Sequence, residues 1–206
     1  MSKDLKKTIV IMAVLVVAVI IGIKIYNKAN EPVPTVSGKY TADIVVQDYG
    51  TITVELDADA APLTVENFIR LANEGFYDGL RFHRVYPHFM IQGGSPESDG
   101  VGGSGECIKG EFSSNGVDNP LSHTRGCISM ARTQLPDSAS SQFFIVHEDS
   151  TYLDGDYAAF GYVTEGMEVV DAICDVIASG SVICDSNGVI QSIDDMPVIT
   201  TITIRD

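Results

Sequence analysis

Apolar and polar residues alternate in many short segments of residues 39–206, and this period of two is typical of β-strands with one buried face. In residues 51–56, for example, Ile52, Val54 and Leu56 alternate with polar residues. The same reasoning predicts a strand at residues 40–47, joined to 51–56 by a turn at 48–50, and further strands at 81–85, 89–92, 127–131, 142–146, 160–164 and 198–204.

Helical periodicity is confined to two segments of the same region. After Ala61 and Pro62, apolar residues recur every three or four positions as far as Ala72, and Gly75 stands where a helix C-terminal cap belongs. Residues 167–177 have the same spacing. Seven or eight short strands with only two helices predict a mainly β fold, an antiparallel barrel or sandwich.

The N-terminal segment has a different pattern. Residues 8–23 contain no charged side chain, and Lys24 can extend its ammonium group to lipid headgroups, so the stretch approaches the length of a membrane span, about 20 residues. We predict a signal anchor, a transmembrane helix, at 1–28, a Pro-rich linker at 29–38 and a folded domain at 39–206. Cleavage as a signal peptide is the alternative, and the domain would then be secreted.

Charge divides the chain in the same way. The net charge of the 206 residues is −15; residues 1–30 hold five Lys and one Asp, whereas the remainder holds eight basic and 27 acidic residues. By the positive-inside rule, the N-terminus is expected in the cytoplasm and the domain outside it, attached to the cell membrane. So acidic a domain lacks the cations that bind phosphate backbones, and nucleic acid is not an expected partner.

Several patterns that can mark chemistry lack the context they need. Residues 100–105 match G-x-G-x-x-G, but a predicted strand at 106–112 follows instead of a helix, which argues against dinucleotide binding. The four His have no metal-ligand spacing, and Ser residues at 138–141 lack the strand–Ser–helix elbow of a hydrolase. The four Cys form no C-x-x-C pair; a Cys174–Cys184 disulfide is compatible with export, but other pairings stay open.

Residues 82–94, FHRVYPHFMIQGG, combine a cationic side chain, aromatic rings, Met and Gln within 13 positions. If the two predicted strands there fold back on each other, alternation places Arg84, Phe89 and Gln92 on one surface. Together with GGSGECIKGEF, GCISMA, SSQFFIVH and LDGDYAAFGYV, in that order, this block resembles the cyclophilin family of peptidyl-prolyl cis–trans isomerases, its bacterial members in particular. The resemblance runs from about Lys39 to the C-terminus.

The resemblance implies an eight-stranded antiparallel barrel capped by two α-helices, and a reaction that needs neither a metal nor a cofactor. It also implies the site, with catalytic Arg84, Gln92 and Phe89, and substrate-binding Met90, Ala131, Arg132, Gln142, Phe144, Tyr152, Leu153 and Tyr157.

Three site positions depart from the best-known eukaryotic members of the family. Tyr152 stands where those proteins have Trp, Tyr157 where they have His, and Arg132 where they have Asn. A phenol hydroxyl cannot replace the indole N–H donor in the same direction. We therefore predict weak cyclosporin binding, which inhibition at submicromolar concentration would contradict.

The expected function is isomerisation of Xaa–Pro bonds in exported proteins, which assists their folding. The expected partners are proline-containing polypeptides, and the membrane through the N-terminal helix. A proline-binding or chaperone module with little turnover is the alternative. Tyr152 and Tyr157 leave it open, whereas Arg84 and Gln92 favour the enzyme.

Overall fold

The computed structural model describes Met12 and residues 34–205 of the chain. Apart from Met12, the predicted anchor at 1–28 lies outside the described residues, as does the first half of the predicted linker. Within the described ranges, none of the helices combines the length and apolar character that crossing a membrane requires.

One antiparallel sheet contains all eight strands of residues 34–205. Its spatial order is β3-β4-β6-β5-β7-β2-β1-β8. The strands are β1 (Lys39–Val46), β2 (Gly50–Asp57), β3 (Arg81–Tyr86), β4 (Met90–Ser95), β5 (Cys127–Met130), β6 (Phe143–Val146), β7 (Ala159–Glu165) and β8 (Ile199–Arg205).

The two edge strands, β3 and β8, meet at one corner of the sheet. Arg81 in β3 forms a bridge with Val198, directly before β8. Farther along β3, the outer edge is covered by a loop instead, because the Val85 N–H donates to the Gly188 carbonyl at 2.8 Å. The sheet is therefore an antiparallel half-barrel, and both the strand count and the antiparallel arrangement predicted from the sequence are confirmed.

Two helices pack on this sheet, as predicted: α1 (Pro62–Asn73) and α2 (Met167–Ala178). Helix α1 contacts β8 and β2, and α2 contacts β2 and β3. Phe68 of α1 is buried among aromatic rings, with its ring centroid 5.3 Å from those of Tyr77 and Phe160 and 5.5 Å from that of Phe143. This aromatic cluster is part of the main core.

The strand predicted at 106–112 is wrong. In the described domain this segment is a loop, with a single bridge between Ile108 and Ala139. Its Glu111 side chain is 3% exposed and accepts hydrogen bonds from the backbone N–H and the hydroxyl of Thr64, at 2.8 and 2.7 Å. The segment is thus held by the N-terminus of α1, and its backbone takes no part in a ladder.

Alternation along β6 separates the core from the opposite face of the sheet. Phe143 and Ile145 point into the main core. Phe144 and Val146 belong to a second cluster, which also contains Met90 of β4. This second face carries the cavity described below.

Candidate active site

A small cavity lies over strands β3, β4 and β6 on the face opposite the main core. It has a volume of about 180 Å³. Its floor is apolar and buried, because it consists of the side chains of Met90, which is 1% exposed, and Phe144, which is 5% exposed. The residues that line it are Arg84, Phe89, Met90, Gln92, Ala131, Arg132, Phe144, Leu153 and Tyr157.

Arg84 stands at one edge of the cavity with its guanidinium fixed from two sides. Pairing of β3 with β4 places Arg84 opposite Gln92, and Arg84 Nη1 donates to Gln92 Oε1 at 3.2 Å. Arg84 Nε donates to the backbone carbonyl of Asn187 at 2.8 Å. Its guanidinium carbon lies 5.9 Å from the centroid of the Phe89 ring. Within residues 34–205, these two bonds engage two of the five guanidinium N–H groups, and the others can donate elsewhere.

Gln92 continues a chain of hydrogen bonds away from Arg84. Its Nε2 donates to Gln142 Oε1 at 3.0 Å. Gln142 Nε2 donates in turn to the carbonyls of Gly100 and Gly102, at 3.0 and 2.8 Å. The glycine-rich loop at 100–105 therefore serves as a backbone anchor for the site. It also lines a larger cavity of about 560 Å³ that adjoins the first and shares Gln92, Ala131 and Arg132 with it.

His123 supports the apolar floor from below. It is 1% exposed, and its ring stacks on Phe144 at an interplanar angle of 15°. His123 Nδ1 lies 2.8 Å from Asp154 Oδ1, and His123 Nε2 lies 3.0 Å from Ser129 Oγ. Burial lowers the pKa of His123, so a neutral ring lies behind the cavity at neutral pH.

Arg132 and Tyr157 form another part of the cavity wall. The Arg132 guanidinium lies 4.7 Å from the Tyr157 ring centroid and 5.1 Å from that of Phe112. Arg132 Nε donates to the Asp156 carbonyl at 2.7 Å. Arg132 and Tyr157, two of the three positions that depart from the best-known eukaryotic members, are therefore in direct contact with each other.

Chemically, the cavity combines an apolar slot with hydrogen-bond donors at its edge. Among the described residues no group of three or more His, Cys, Asp or Glu is arranged to hold a metal ion. The slot fits a small apolar ring, and the free N–H groups of Arg84 fit a carbonyl oxygen or an amide nitrogen beside it.

Comparison with known proteins identifies the family of this chain. The model of the family described as cyclophilin type peptidyl-prolyl cis-trans isomerase/CLD matches residues 41–195, which include every residue that lines the slot. This chain belongs to the cyclophilin family. The prediction of a cyclophilin-type peptidyl-prolyl cis–trans isomerase is confirmed.

Curated bacterial peptidyl-prolyl cis-trans isomerases are similar to it over most of their length. Peptidyl-prolyl cis-trans isomerase B of Bacillus subtilis (strain 168) is 49% identical over 128 residues, which cover 62% of this chain and 86% of that protein. A peptidyl-prolyl cis-trans isomerase of Acinetobacter baylyi is 43% identical over 154 residues, 72% of this chain and 77% of the relative.

Solved structures give the same fold. A crystal structure of a Cryptosporidium parvum cyclophilin type peptidyl-prolyl cis-trans isomerase superposes with a TM-score of 0.70 and 27% identity, over 82% of this chain and 99% of that one. Another crystal structure of that protein, in the presence of the dipeptide Ala-Pro, superposes with a TM-score of 0.68 and 28% identity, over 81% of this chain and 99% of that one.

Nine of the eleven site residues predicted for this cyclophilin domain line the slot. Gln142 does not line it, but holds Gln92 and lines the adjoining cavity. Tyr152 lies outside as well: its side chain is 71% exposed, with its ring 6.1 Å from that of Phe89. The roles assigned to these residues, and the weak binding of cyclosporin, stay predictions.

Sequence reasoning missed the groups that hold the site from behind. These groups are the ring of His123, the carbonyl of Asn187 and the carbonyls of Gly100 and Gly102. Every residue has a backbone carbonyl, so the sequence does not show which carbonyls hold the site. The stacking of a single His on an aromatic ring likewise has no sequence pattern.

The cysteines of the cyclophilin domain are all free. Cys127 and Cys174 are buried, and burial raises the pKa of each thiol to about 12. Cys107 is exposed and Cys184 is half-buried. The disulfide that the sequence left open between Cys174 and Cys184 is not formed in this structure.

Proposed function

We propose that this cyclophilin isomerises Xaa–Pro bonds of exported polypeptides, with Arg84 as the group that stabilises the twisted amide. The observation that carries the proposal is the position of Arg84. Its guanidinium is fixed at the edge of an apolar slot by Gln92 and Asn187, with further N–H groups left to donate.

The chemistry requires only non-covalent groups. The barrier to rotation about a peptide bond is about 18–20 kcal/mol and arises from amide resonance. The two isomers of an Xaa–Pro bond differ by only about 0.5–1 kcal/mol, yet they exchange over tens to hundreds of seconds. A catalyst must therefore bind the twisted amide more tightly than either planar isomer.

Each part of the site has a role in that differential binding. The slot formed by Phe89, Met90, Phe144 and Leu153 would hold the pyrrolidine ring and fix the proline side of the bond. In the twisted amide the proline nitrogen loses resonance and becomes a hydrogen-bond acceptor, to which Arg84 can donate. A guanidinium suits this role because it stays charged and its donors form a rigid fork.

Gln92 would hold the substrate backbone while the preceding carbonyl rotates. Its Oε1 accepts from Arg84, and its Nε2 has a second N–H besides the one donated to Gln142. Because about 1.4 kcal/mol of selective stabilisation accelerates a reaction tenfold, a few such contacts suffice.

The assay of this proposal is exchange between the cis and trans forms of an Ala–Pro peptide, followed by NMR with the purified full-length chain. We expect wild type to accelerate exchange, and Phe144→Ala to lower kcat/KM about tenfold or more, because it removes the floor of the slot.

Val146→Ala is the matched control for that variant, since Val146 is buried in the same cluster but does not line the slot. It should lose stability and keep its activity. Peptide binding without any acceleration by wild type would indicate a proline-binding module. Unchanged kinetics of Phe144→Ala would remove this ring from the site.

The substrates are proposed to be exported proteins because of the N-terminal charge and hydropathy pattern. Residues 1–28 would anchor the enzyme, with the domain outside the cytoplasm. Expressed in a bacterium, the full chain should sediment with membranes and be digested by protease added to spheroplasts, whereas deletion of residues 8–23 should release it from the membrane. Protease resistance in intact spheroplasts would contradict the proposed topology.

A further inference from the structure

The outer edge of β3 is covered by a tight turn at residues 185–189, and this turn is in direct contact with Arg84. The Gly188 carbonyl accepts from Val85 N–H at 2.8 Å, and residue 84 forms a bridge with Val189. Between these contacts, the Asn187 carbonyl accepts from Arg84 Nε at 2.8 Å. The turn therefore provides the carbonyl oxygen, that of Asn187, which fixes the guanidinium at Arg84 Nε.

One side chain accepts two backbone hydrogen bonds within this turn. Asp185 Oδ1 accepts from the backbone N–H of Asn187 at 2.8 Å and from that of Val189 at 2.9 Å. Backbone bonds close the same turn, from Gly188 N–H to the Asp185 carbonyl at 3.0 Å and from Asp185 N–H to the Val189 carbonyl at 2.9 Å. Because Oδ1 holds Asn187 and Val189 together, it sets the direction in which the Asn187 carbonyl points.

Gly188 lets this turn lie close to β3. Its φ is +83°, and a Cβ at this position would lie 2.6 Å from the Val85 carbonyl oxygen. The backbone of the turn thus lies too close to β3 for a side chain at residue 188.

We propose that Asp185 is a positioning residue for the isomerase reaction, which acts on Arg84 through the carbonyl of Asn187. The inference rests on the proposed role of Arg84. With the inner end of the guanidinium fixed at Nε and its side fixed by Gln92, the remaining N–H groups face the slot in one orientation. Without the Asp185 carboxylate, Arg84 samples other rotamers and donates to the twisted amide in only a fraction of them.

The charge of Asp185 is compatible with this role. The backbone N–H groups of Val189 and Asn187, and to a smaller degree the charge of Arg84, lower the pKa of the Asp185 carboxyl. The carboxylate is therefore ionised at neutral pH and accepts both hydrogen bonds. Asn at this position retains an acceptor oxygen of the same geometry, whereas Ala does not.

The test is a set of kinetic measurements on the full-length enzyme with an Ala–Pro peptide. Asp185→Ala is expected to lower kcat about three- to tenfold and to change KM less than twofold, because orientation and not substrate binding is lost. Asp185→Asn should restore most of the lost kcat. Asp194→Ala, which removes the same charge from the exposed 3-10 helix at Ile193–Asp195, should match wild type.

A double-mutant cycle shows whether Asp185 acts through Arg84. Asp185→Ala should cause no further loss in an Arg84→Ala background, since the group it positions is gone. Additive losses, an unchanged kcat for Asp185→Ala, or equal losses for Asp185→Ala and Asp185→Asn would each overturn the inference. If Arg84→Ala is itself fully active, the proposed role of Arg84 fails first, and the two failures are thereby distinguished.

Discussion

At the scale of single residues, the site consists of side chains whose orientation is fixed by backbone groups. Arg84 is held by the carbonyl of Asn187, and Gln142 by the carbonyls of Gly100 and Gly102. His83, the residue before Arg84, is instead buried with one polar atom unpaired within residues 34–205. His83 is 1% exposed, and its Nδ1 is buried without a hydrogen-bond partner in the part of the chain that the structure describes.

His83 should make the stability of the domain depend on pH. Burial, and to a smaller degree the charge of Arg84, lowers the pKa of His83 to about 4 from an ordinary value of 6.5. The unfolded chain therefore binds a proton at a higher pH than the folded chain. The free energy of unfolding should thus fall as the pH decreases from 6.5 towards 4.

The measurement is urea denaturation of wild type and His83→Gln at pH 7 and at about pH 4.5. We expect the loss of stability between the two pH values to be about 2 kcal/mol larger for wild type. Comparing the change with pH, and not the absolute stability, removes the effect of altered packing in the variant. Equal losses would show that His83 does not titrate in this way.

At the scale of elements, helix α1 is stabilised by a residue from a distant loop. Ala61, which precedes the helix, provides no side-chain cap. Glu111 takes that place by accepting from the backbone N–H groups of Leu63 and Thr64 and from the Thr64 hydroxyl. A carboxylate in this position also interacts favourably with the positive end of the helix dipole.

Removal of this cap should destabilise the fold. Glu111→Ala leaves two backbone donors and a hydroxyl buried without a partner, and we expect the free energy of unfolding to fall by about 2–3 kcal/mol. Glu111→Gln keeps one acceptor oxygen and should lose about half as much. Urea denaturation at neutral pH measures both. If Glu111→Ala were as stable as wild type, the cap would contribute nothing.

The elements also show where prediction from the sequence succeeds. Strand β2, in which Ile52, Val54 and Leu56 are buried, follows a period of two, and both β2 and β8 were predicted within one or two residues of their bounds. Helix α1 was predicted from its apolar spacing and from Gly75, whose φ of +70° fits a C-terminal cap. Residues 106–112 have strand-like composition, but the contact of Glu111 with α1 decides their conformation, and no local pattern records it.

At the scale of the whole molecule, the fold brings distant segments to one slot on the outer face of the sheet. Strands β3, β4 and β6 supply Arg84, Gln92 and Phe144, and the short 3-10 helix at Thr151–Leu153 supplies Leu153. The identities of these residues were predictable through the family resemblance, because long sequence blocks carry it. The supporting carbonyl of Asn187 was not, because any residue has a carbonyl and only the folded turn directs this one to Arg84.

The central claim is that a correctly oriented guanidinium at residue 84 accelerates rotation about the Xaa–Pro bond. Arg84→Ala and Arg84→Lys, assayed on an Ala–Pro peptide, test it most directly. We expect Arg84→Ala to lower kcat/KM about a hundredfold with little change in thermal stability, because it removes a donor aimed at the twisted amide. Arg84→Lys keeps the charge but loses the Nε donor and the rigid fork, and should remain about tenfold or more below wild type. Wild-type kcat/KM in a folded Arg84→Ala variant would contradict the account.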